Sequence, residues 1–287
     1  MINQPQFSVI IPHRDSIQTL PRLLASIPND PRVEIIIVDN SLKPLERTAI
    51  QTDRKFALYY SDFHKFGGGG RNVGIEHAQG KWLLFADADD YFSDAAFNLF
   101  FAQANNEADI VYTCMEGVEE QTGKRHPRGD IYTHLVREYL TGKCDDQRLR
   151  YLFQSPCCKM LRKKLIDDNQ IRFSEVLTGN DALFSVKSGY FAKSVVAYGV
   201  ITYIATVGNA NISRRKDYES FRCRYIEDLK INQFLRQHGV REWQYPVMVS
   251  IKQSRRYGWG KVFDLLKLAK RFNQSLFVDY NTKATYY

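Results

Sequence analysis

The chain has 287 residues, 44% of them hydrophobic and 25% charged, with 40 Lys and Arg against 32 Asp and Glu for a net charge of +8. That balance supports a packed core in one large domain or two small ones, and it excludes a disordered or collagen-like chain. The longest apolar runs, Ile35–Val38 and Trp82–Ala86, are too short to cross a bilayer.

In chain order, Met1–Gln6 is polar, with no basic stretch and no small-residue cleavage site, so a secretory leader is not expected. Phe7–Ile11 is a β-branched run closed by Pro12 and reads as a buried strand. Leu20, Leu23, Leu24 and Ile27 have the spacing of one helix face, with Pro21 tolerated in the first turn. Val33–Val38 and Phe56–Tyr60 read as further strands, the first running into Asp39-Asn40. Gly67–Gly70 reads as a mobile loop feeding a short helix over Arg71–Gln79. Lys81–Ala86 is a fourth strand that ends at Asp87-Ala88-Asp89-Asp90, followed by a helix near Ala95–Ala104 and a fifth strand at Asp109–Cys114. Glu116–Asp130, with Gly117, Gly123, Pro127 and Gly129, reads as a loop or hairpin. Residues 131–215 mix short helices and strands, and residues 216–287 read mostly helical.

Strands alternating with helices predict an α/β fold with a mostly parallel central sheet flanked by helices. Ligands of such sheets bind beyond the carboxyl ends of the strands, which singles out Asp39 and the Asp87, Asp89, Asp90 group. In an extended segment alternate residues point the same way, so Asp87 and Asp89 face one ligand while Ala88 turns inward. Clustered carboxylates need a cation or hydrogen-bond donors, and hard oxygen ligands suit Mg²⁺ or Mn²⁺. The plainer alternative is a solvated turn in which Asp90 or Ser93 caps the next helix. Five cysteines, Cys114, Cys144, Cys157, Cys158 and Cys223, form no CxxC pair and predict reduced thiols in a reducing, cytoplasmic compartment. From Arg241 onward nine Lys and Arg meet three Asp and Glu. A basic stretch of this kind meets nucleic acid, anionic lipid or an acidic glycan, or is simply a solvated helix face; its interleaving with Trp259, Phe263 and Leu266 puts membrane-surface contact on a par with the solvated face.

Four ordered segments carry a resemblance: Phe7–Pro12, Val33–Asp39, Gly70–Ile75 with Ala78 and Gly80, and Trp82–Asp90. They are similar to the SVIIPxYN, EIIIVDDGS, ARNxGIxxAxG and YIxFLDxDD strings of the family 2 glycosyltransferases of GT-A fold. Further on, Pro156–Arg162, Ile171–Phe173 and Gly179–Phe184 resemble that family's WxKLYRR, IRF and ExxxGEDxxF stretch, and Ile212–Arg215 resembles its SxSR end. The resemblance implies an inverting sugar transfer from a nucleotide-sugar, a UDP-sugar, onto a glycan or lipid-linked glycan. It implies that Pro12, Asp39, Asn40, Arg71 and Asp87 line the donor site, that Asp87 and Asp89 hold the metal, and that Asp181 is the general base. The donor half would lie near residues 1–115, the acceptor half near 116–215 and a helical extension over 216–287. A lipid-linked acceptor would place the chain at the inner face of the cell membrane.

Three departures stand out. The family's second Asp is Asn40, the YN after the first strand is His13-Arg14-Asp15, and the ED pair is Asn180-Asp181. Losing a like charge beside Asp181 should ease its ionisation. Two rival readings remain at this level: a sugar nucleotidyltransferase, and a non-catalytic nucleotide- or glycan-binding subunit.

Overall fold

The computed structural model describes residues 4–208, 216–276 and 283–284. The elements follow as β1 (Phe7–His13), α1 (Leu20–Ala25), β2 (Val33–Asp39), β3 (Ala57–Tyr60), α2 (Phe66–His77), β4 (Trp82–Phe85), β5 (Tyr91–Phe92) and α3 (Ala96–Ala102). After them come β6 (Ile110–Glu119), β7 (Arg125–His126), α4 (Asp130–Leu140), α5 (Asp146–Leu152), β8 (Lys159–Arg162), α6 (Lys163–Asp168), α7 (Ala182–Phe191) and β9 (Val195–Val207). The chain continues through α8 (Tyr218–Gln237), α9 (Val247–Gln253) and α10 (Trp259–Arg271).

One sheet runs through the order β3-β2-β1-β4-β8-β6-β9-β5, with β7 paired to β6. Strands β3, β2, β1 and β4 are parallel, as the alternation of strand and helix predicts. Beyond β4 the pairing is mixed: β8 is antiparallel to both β4 and β6, whereas β6 and β9 are parallel. The hydrophobic runs of β1 and β2 are buried on both faces, the usual condition of a parallel sheet covered by helices. The predicted hairpin at 116–130 is present as β6–β7, with Gly117 opposite His126.

The loop expected at Gly67–Gly70 is instead the first turns of α2, which starts at Phe66. Four glycines disfavour a helix by about 1 kcal/mol each relative to alanine, so local propensity argues for a loop. Packing overrides it. A β-carbon on Gly68 would sit 2.0 Å from the Ser174 carbonyl oxygen, and one on Gly74 would sit 2.3 Å from Ile10 Cγ2 of β1. The missing side chains let α2 lie directly on the sheet and on the segment that leads to Asp181.

The main core runs from β1 to α7 and β9, and α8 adds Ile231, Phe234 and Leu235 to it. A second cluster joins the other end of α8 (Phe221, Tyr225, Leu229) to Val247 and Ile251 of α9 and to Val262, Leu265 and Leu268 of α10. Helix α8 is therefore shared by the sheet and by the C-terminal helices. All five cysteines are free thiols, with Cys114 and the adjacent Cys157 and Cys158 buried. Among the described residues no helix is long and apolar enough to cross a membrane.

Gly74→Ala should overpack the α2–β1 contact and lower stability by about 1–3 kcal/mol. The check is a urea titration, in which the midpoint falls while the slope stays that of the native protein.

Candidate active site

The parallel register sets His13 of β1 beside Asp39 of β2, and the Ala86 N–H continues the β1–β4 ladder by donating to the Ile10 carbonyl at 3.1 Å. The carboxyl ends of β1, β2 and β4 thus gather at one edge of the sheet. Asp39 is 1% exposed. Its Oδ1 accepts from His13 Nδ1 at 2.8 Å, from Ser41 Oγ at 2.7 Å and from Ser41 N at 3.3 Å, and its Oδ2 accepts from Leu45 N at 2.8 Å. The Ser16 N–H donates to His13 Nε2 at 3.2 Å, so the His13 proton sits on Nδ1 and points at Asp39. Burial opposes ionisation of Asp39, but these donors outweigh it and hold its carboxyl below the usual carboxylate range. Oδ2 keeps one lone pair beyond Leu45.

Asn40 follows directly, equally buried, and its amide oxygen and nitrogen have no partner among the described residues. Leaving a buried polar group unpaired costs about 1–3 kcal/mol, so this amide marks a place where a polar ligand atom would be stabilising. Pro12, half-buried at the end of β1, packs within 3.3 Å of the β-carbon position of Gly70 and so lines the same edge.

Arg71, buried in α2, spans the site. It donates to Asp87 Oδ1, and its Nη1 donates to Asn180 Oδ1 at 3.0 Å. Burial works against its charge, and the attraction of Asp87, with smaller contributions that include Asp181, more than restores it. Asn180 therefore fills the acceptor position that an acid would otherwise occupy, and Arg71 joins the strand-end carboxylates to the residue beside Asp181.

The carboxylates of Asp87, Asp89 and Asp90 offer oxygens within 4.8 Å of one another. They are not equivalent. Asp90 is buried and faces β9, where Tyr203 Oη donates to it at 2.9 Å and the Thr206 N–H at 2.7 Å. Burial, reinforced by Asp89, pushes the Asp90 carboxyl far above its usual range. Burial and then the charge of Asp87 raise Asp89 as well. Asp87 and Asp89 are partly exposed, and Ala88 is turned inward as the alternation predicts. Neither Asp90 nor Ser93 caps α3: its cap position is Ala95, without a side-chain bond, and Ser93 Oγ donates to the Ile201 carbonyl. An all-oxygen set with two outward carboxylates and one inward carboxylate, in which burial and neighbouring charge hold Asp89 and Asp90 above their usual range, fits a hard divalent cation.

Several participants carry no signal in the sequence. Arg128 stands in the polar turn after β7, donates to the Thr206 carbonyl at 2.7 Å, and faces the carboxylates. Burial disfavours its charge, and Asp90, Asp87 and Asp89 hold it protonated. Arg22 of α1 donates to the Asp89 carbonyl at 2.5 Å. Tyr203, besides binding Asp90, accepts from the Asp87 N–H at 2.9 Å. No periodicity or motif marks these residues, because their meeting depends on how β5 and β6 pair with β9 and β7 with β6.

Asp181 stands at the cap position of α7 but makes no capping bond with its side chain. Burial raises its carboxyl above the usual range, with Arg71 and Lys159 pulling in the other direction. The relief expected from Asn180 is thus outweighed by burial. The segment before Asp181 is held on two sides. Asn72 of α2 pairs with the Phe173 backbone at 2.8 and 3.0 Å. From α8, Glu227 accepts from Ser174 Oγ at 2.6 Å, and the Ser220 carbonyl accepts from Thr178 Oγ1 at 2.9 Å. The Ile212–Arg215 stretch lies outside the described residues.

Parallel strand ends, a carboxylate group after β4 and the acid ahead of α7 thus meet around Arg71 at one edge of the sheet. The family model for glycosyl transferase family 2 matches residues 8–169, and the chain belongs to that family. It is 27% identical over 241 residues to the poly(ribitol-phosphate) β-N-acetylglucosaminyltransferase TarS of Staphylococcus aureus, covering 78% of this chain and 40% of TarS. It is 25% identical over 212 residues to the GalNAc(5)-diNAcBac-PP-undecaprenol β-1,3-glucosyltransferase of Campylobacter jejuni, covering 68% of this chain and 65% of that one. The crystal structure of TarS 1–349 in complex with UDP-GlcNAc superposes with a TM-score of 0.60 at 22% identity, covering 93% of this chain and 83% of that one. This likeness bears on the fold. The chain spans about two fifths of the TarS length.

Because the Asp39 pKa is held below its unfolded value, the group contributes stability that is present above about pH 4 and lost as pH falls through its folded value. Asp39→Asn should therefore be less stable than wild type at neutral pH, and the gap should close towards pH 3. Urea midpoints of both proteins across that range check it.

Proposed function

We propose that the chain is an inverting glycosyltransferase that moves a sugar from a nucleotide-sugar, a UDP-sugar, to a hydroxyl of a glycan or lipid-linked glycan in surface polysaccharide synthesis. The observation that carries this reading is the Arg71 bridge between Asp87 and Asn180, which joins the strand-end carboxylates and Asp181 in one site. The names of the relatives support the acceptor class: one acts on a poly(ribitol-phosphate), the other on an undecaprenol-linked glycan.

On this reading the donor half lies near residues 1–115 and the acceptor half near 116–215. The nucleoside lies against Pro12, the remaining lone pair of Asp39 and the unpaired amide of Asn40. Asp87 and Asp89 would hold Mg²⁺ or Mn²⁺, which when bound supplies positive charge to the departing diphosphate. Arg71 and Arg128 add fixed cationic charge around the same group without having to reorganise during reaction. Asp181 takes the proton of the acceptor hydroxyl. The acceptor oxygen then bonds to the anomeric carbon as the carbon–oxygen bond to the diphosphate breaks on the opposite face, and the configuration inverts. The raised proton affinity of Asp181 suits this role, because a base is most effective when its acidity lies nearer the working pH.

In thermal unfolding, UDP with Mn²⁺ at about a hundred times its Kd should stabilise wild type by about 2.7 kcal/mol, and the shift should be lost in Asp89→Ala. GDP and CMP are the comparison nucleotides. No shift with any nucleotide in a folded sample would favour a non-catalytic subunit. Release of diphosphate from a nucleoside triphosphate would favour a nucleotidyltransferase.

Asp181→Asn should keep the UDP shift and lower kcat by about 10²–10⁴-fold in a sugar-transfer assay. Full activity in that variant would remove Asp181 from the base role.

A further inference from the structure

We propose that the outward face of α10, with the turn that leads into it, is a docking surface for an anionic lipid bilayer. Helix α10 turns Val262, Leu265, Leu268 and Ala269 into the C-terminal cluster. At 100° per residue, the opposite side carries Trp259, Phe263, Lys267 and Lys270. Trp259 is 66% exposed and Phe263 61%, whereas the other two tryptophans, Trp82 and Trp243, are at most 1% exposed. The two outward rings are not needed by the core, which is complete beneath them.

Their surroundings select the partner. Lys252, Arg255, Lys267, Lys270 and Arg271 are all exposed along this stretch, and the Arg255 guanidinium lies 5.4 Å from the Trp259 ring. Asp264 is the one acid between residues 252 and 271, and it is already engaged by Arg222 Nε at 2.7 Å and Tyr218 Oη at 2.6 Å. The charge along this stretch is therefore net cationic, with two exposed aromatic side chains among the cations. Aromatic rings that reach the acyl boundary, ringed by Lys and Arg that meet anionic headgroups, are the two components of interfacial helix binding. A nucleic-acid strand would want cations lining a groove that follows its backbone. Here rings and cations share one convex helix.

The surface lies on helices that carry none of the residues assigned to the donor site, so its failure and that of the transferase reading are separable. The test is cosedimentation of the whole chain with vesicles of phosphatidylcholine alone and of phosphatidylcholine mixed with phosphatidylglycerol, at low and high salt. We expect binding to the mixed vesicles about tenfold or more tighter than to neutral ones, weakening with salt. Tryptophan emission should shift to the blue, since Trp259 is the exposed reporter. Phe263→Ser with Lys267→Glu and Lys270→Glu should abolish binding while keeping the melting temperature and the UDP shift. Equal binding by that variant, or no binding to the mixed vesicles by wild type, overturns the proposal. So does wild-type binding to a single-stranded oligonucleotide in preference to vesicles, or a dimer that dissociates in the variant without any vesicle affinity.

Discussion

A buried guanidinium is expensive to desolvate and stays in place only where its partners are matched and fixed. Arg71 is held by Asp87 on one side and Asn180 on the other, through its two terminal nitrogens. Removing one partner of such a group leaves an uncompensated charge, at about 3–5 kcal/mol. Much of the surrounding architecture serves to bring those partners within reach. Glycines let α2 lie against β1 and against the Ser174 backbone, Asn72 one residue on from Arg71 pins Phe173, and Phe173 stacks on Phe184 of α7 at 3.8 Å. The position of Asp181 relative to the strand-end carboxylates is a consequence of that packing.

The three carboxylates after β4 divide their work by exposure. Asp90 is drawn into β9 by Tyr203 and Thr206, so it fixes the turn, while Asp87 and Asp89 remain towards solvent. The repulsion this creates is offset in part by Arg128, from the turn after β7, and by Arg71, from α2. Fixed cations placed this way hold the charge balance before any ligand arrives, which is the physical content of preorganisation.

The family match ends at residue 169, before Asn180, Asp181 and the C-terminal helices. Yet α8 is tied into the site: Glu227, itself paired with Lys230 at 2.7 Å, holds Ser174, and the Ser220 carbonyl holds Thr178. Because the same helix also packs on α9 and α10, the segment carrying Asp181 is braced by a part of the molecule whose far side presents Trp259 and Phe263.

The sequence by itself determined the first buried strands and the acids that follow them. Runs such as Ile35–Val38 and Leu83–Phe85 report burial through local pattern alone, and strand ends in an α/β chain are where ligands bind. It also marked Asp39, Asp87 and Asp89 by their place after strands, and Arg71 and Asp181 through the resemblance to family 2 motifs. The tertiary structure alone decided that Gly67–Gly70 is helix, because close approach to Ser174 and Ile10 outweighs a poor local propensity. It decided that Asp90 is a structural carboxylate, through donors from β9 that are more than a hundred residues away along the chain. It also brought in Arg22, Arg128, Tyr203 and Thr206, and it set the acidity of Asp181 by burial against the relief that Asn180 predicts. Local sequence encodes periodicity and turn chemistry, whereas desolvation and long-range pairing exist only once the strands have found their register.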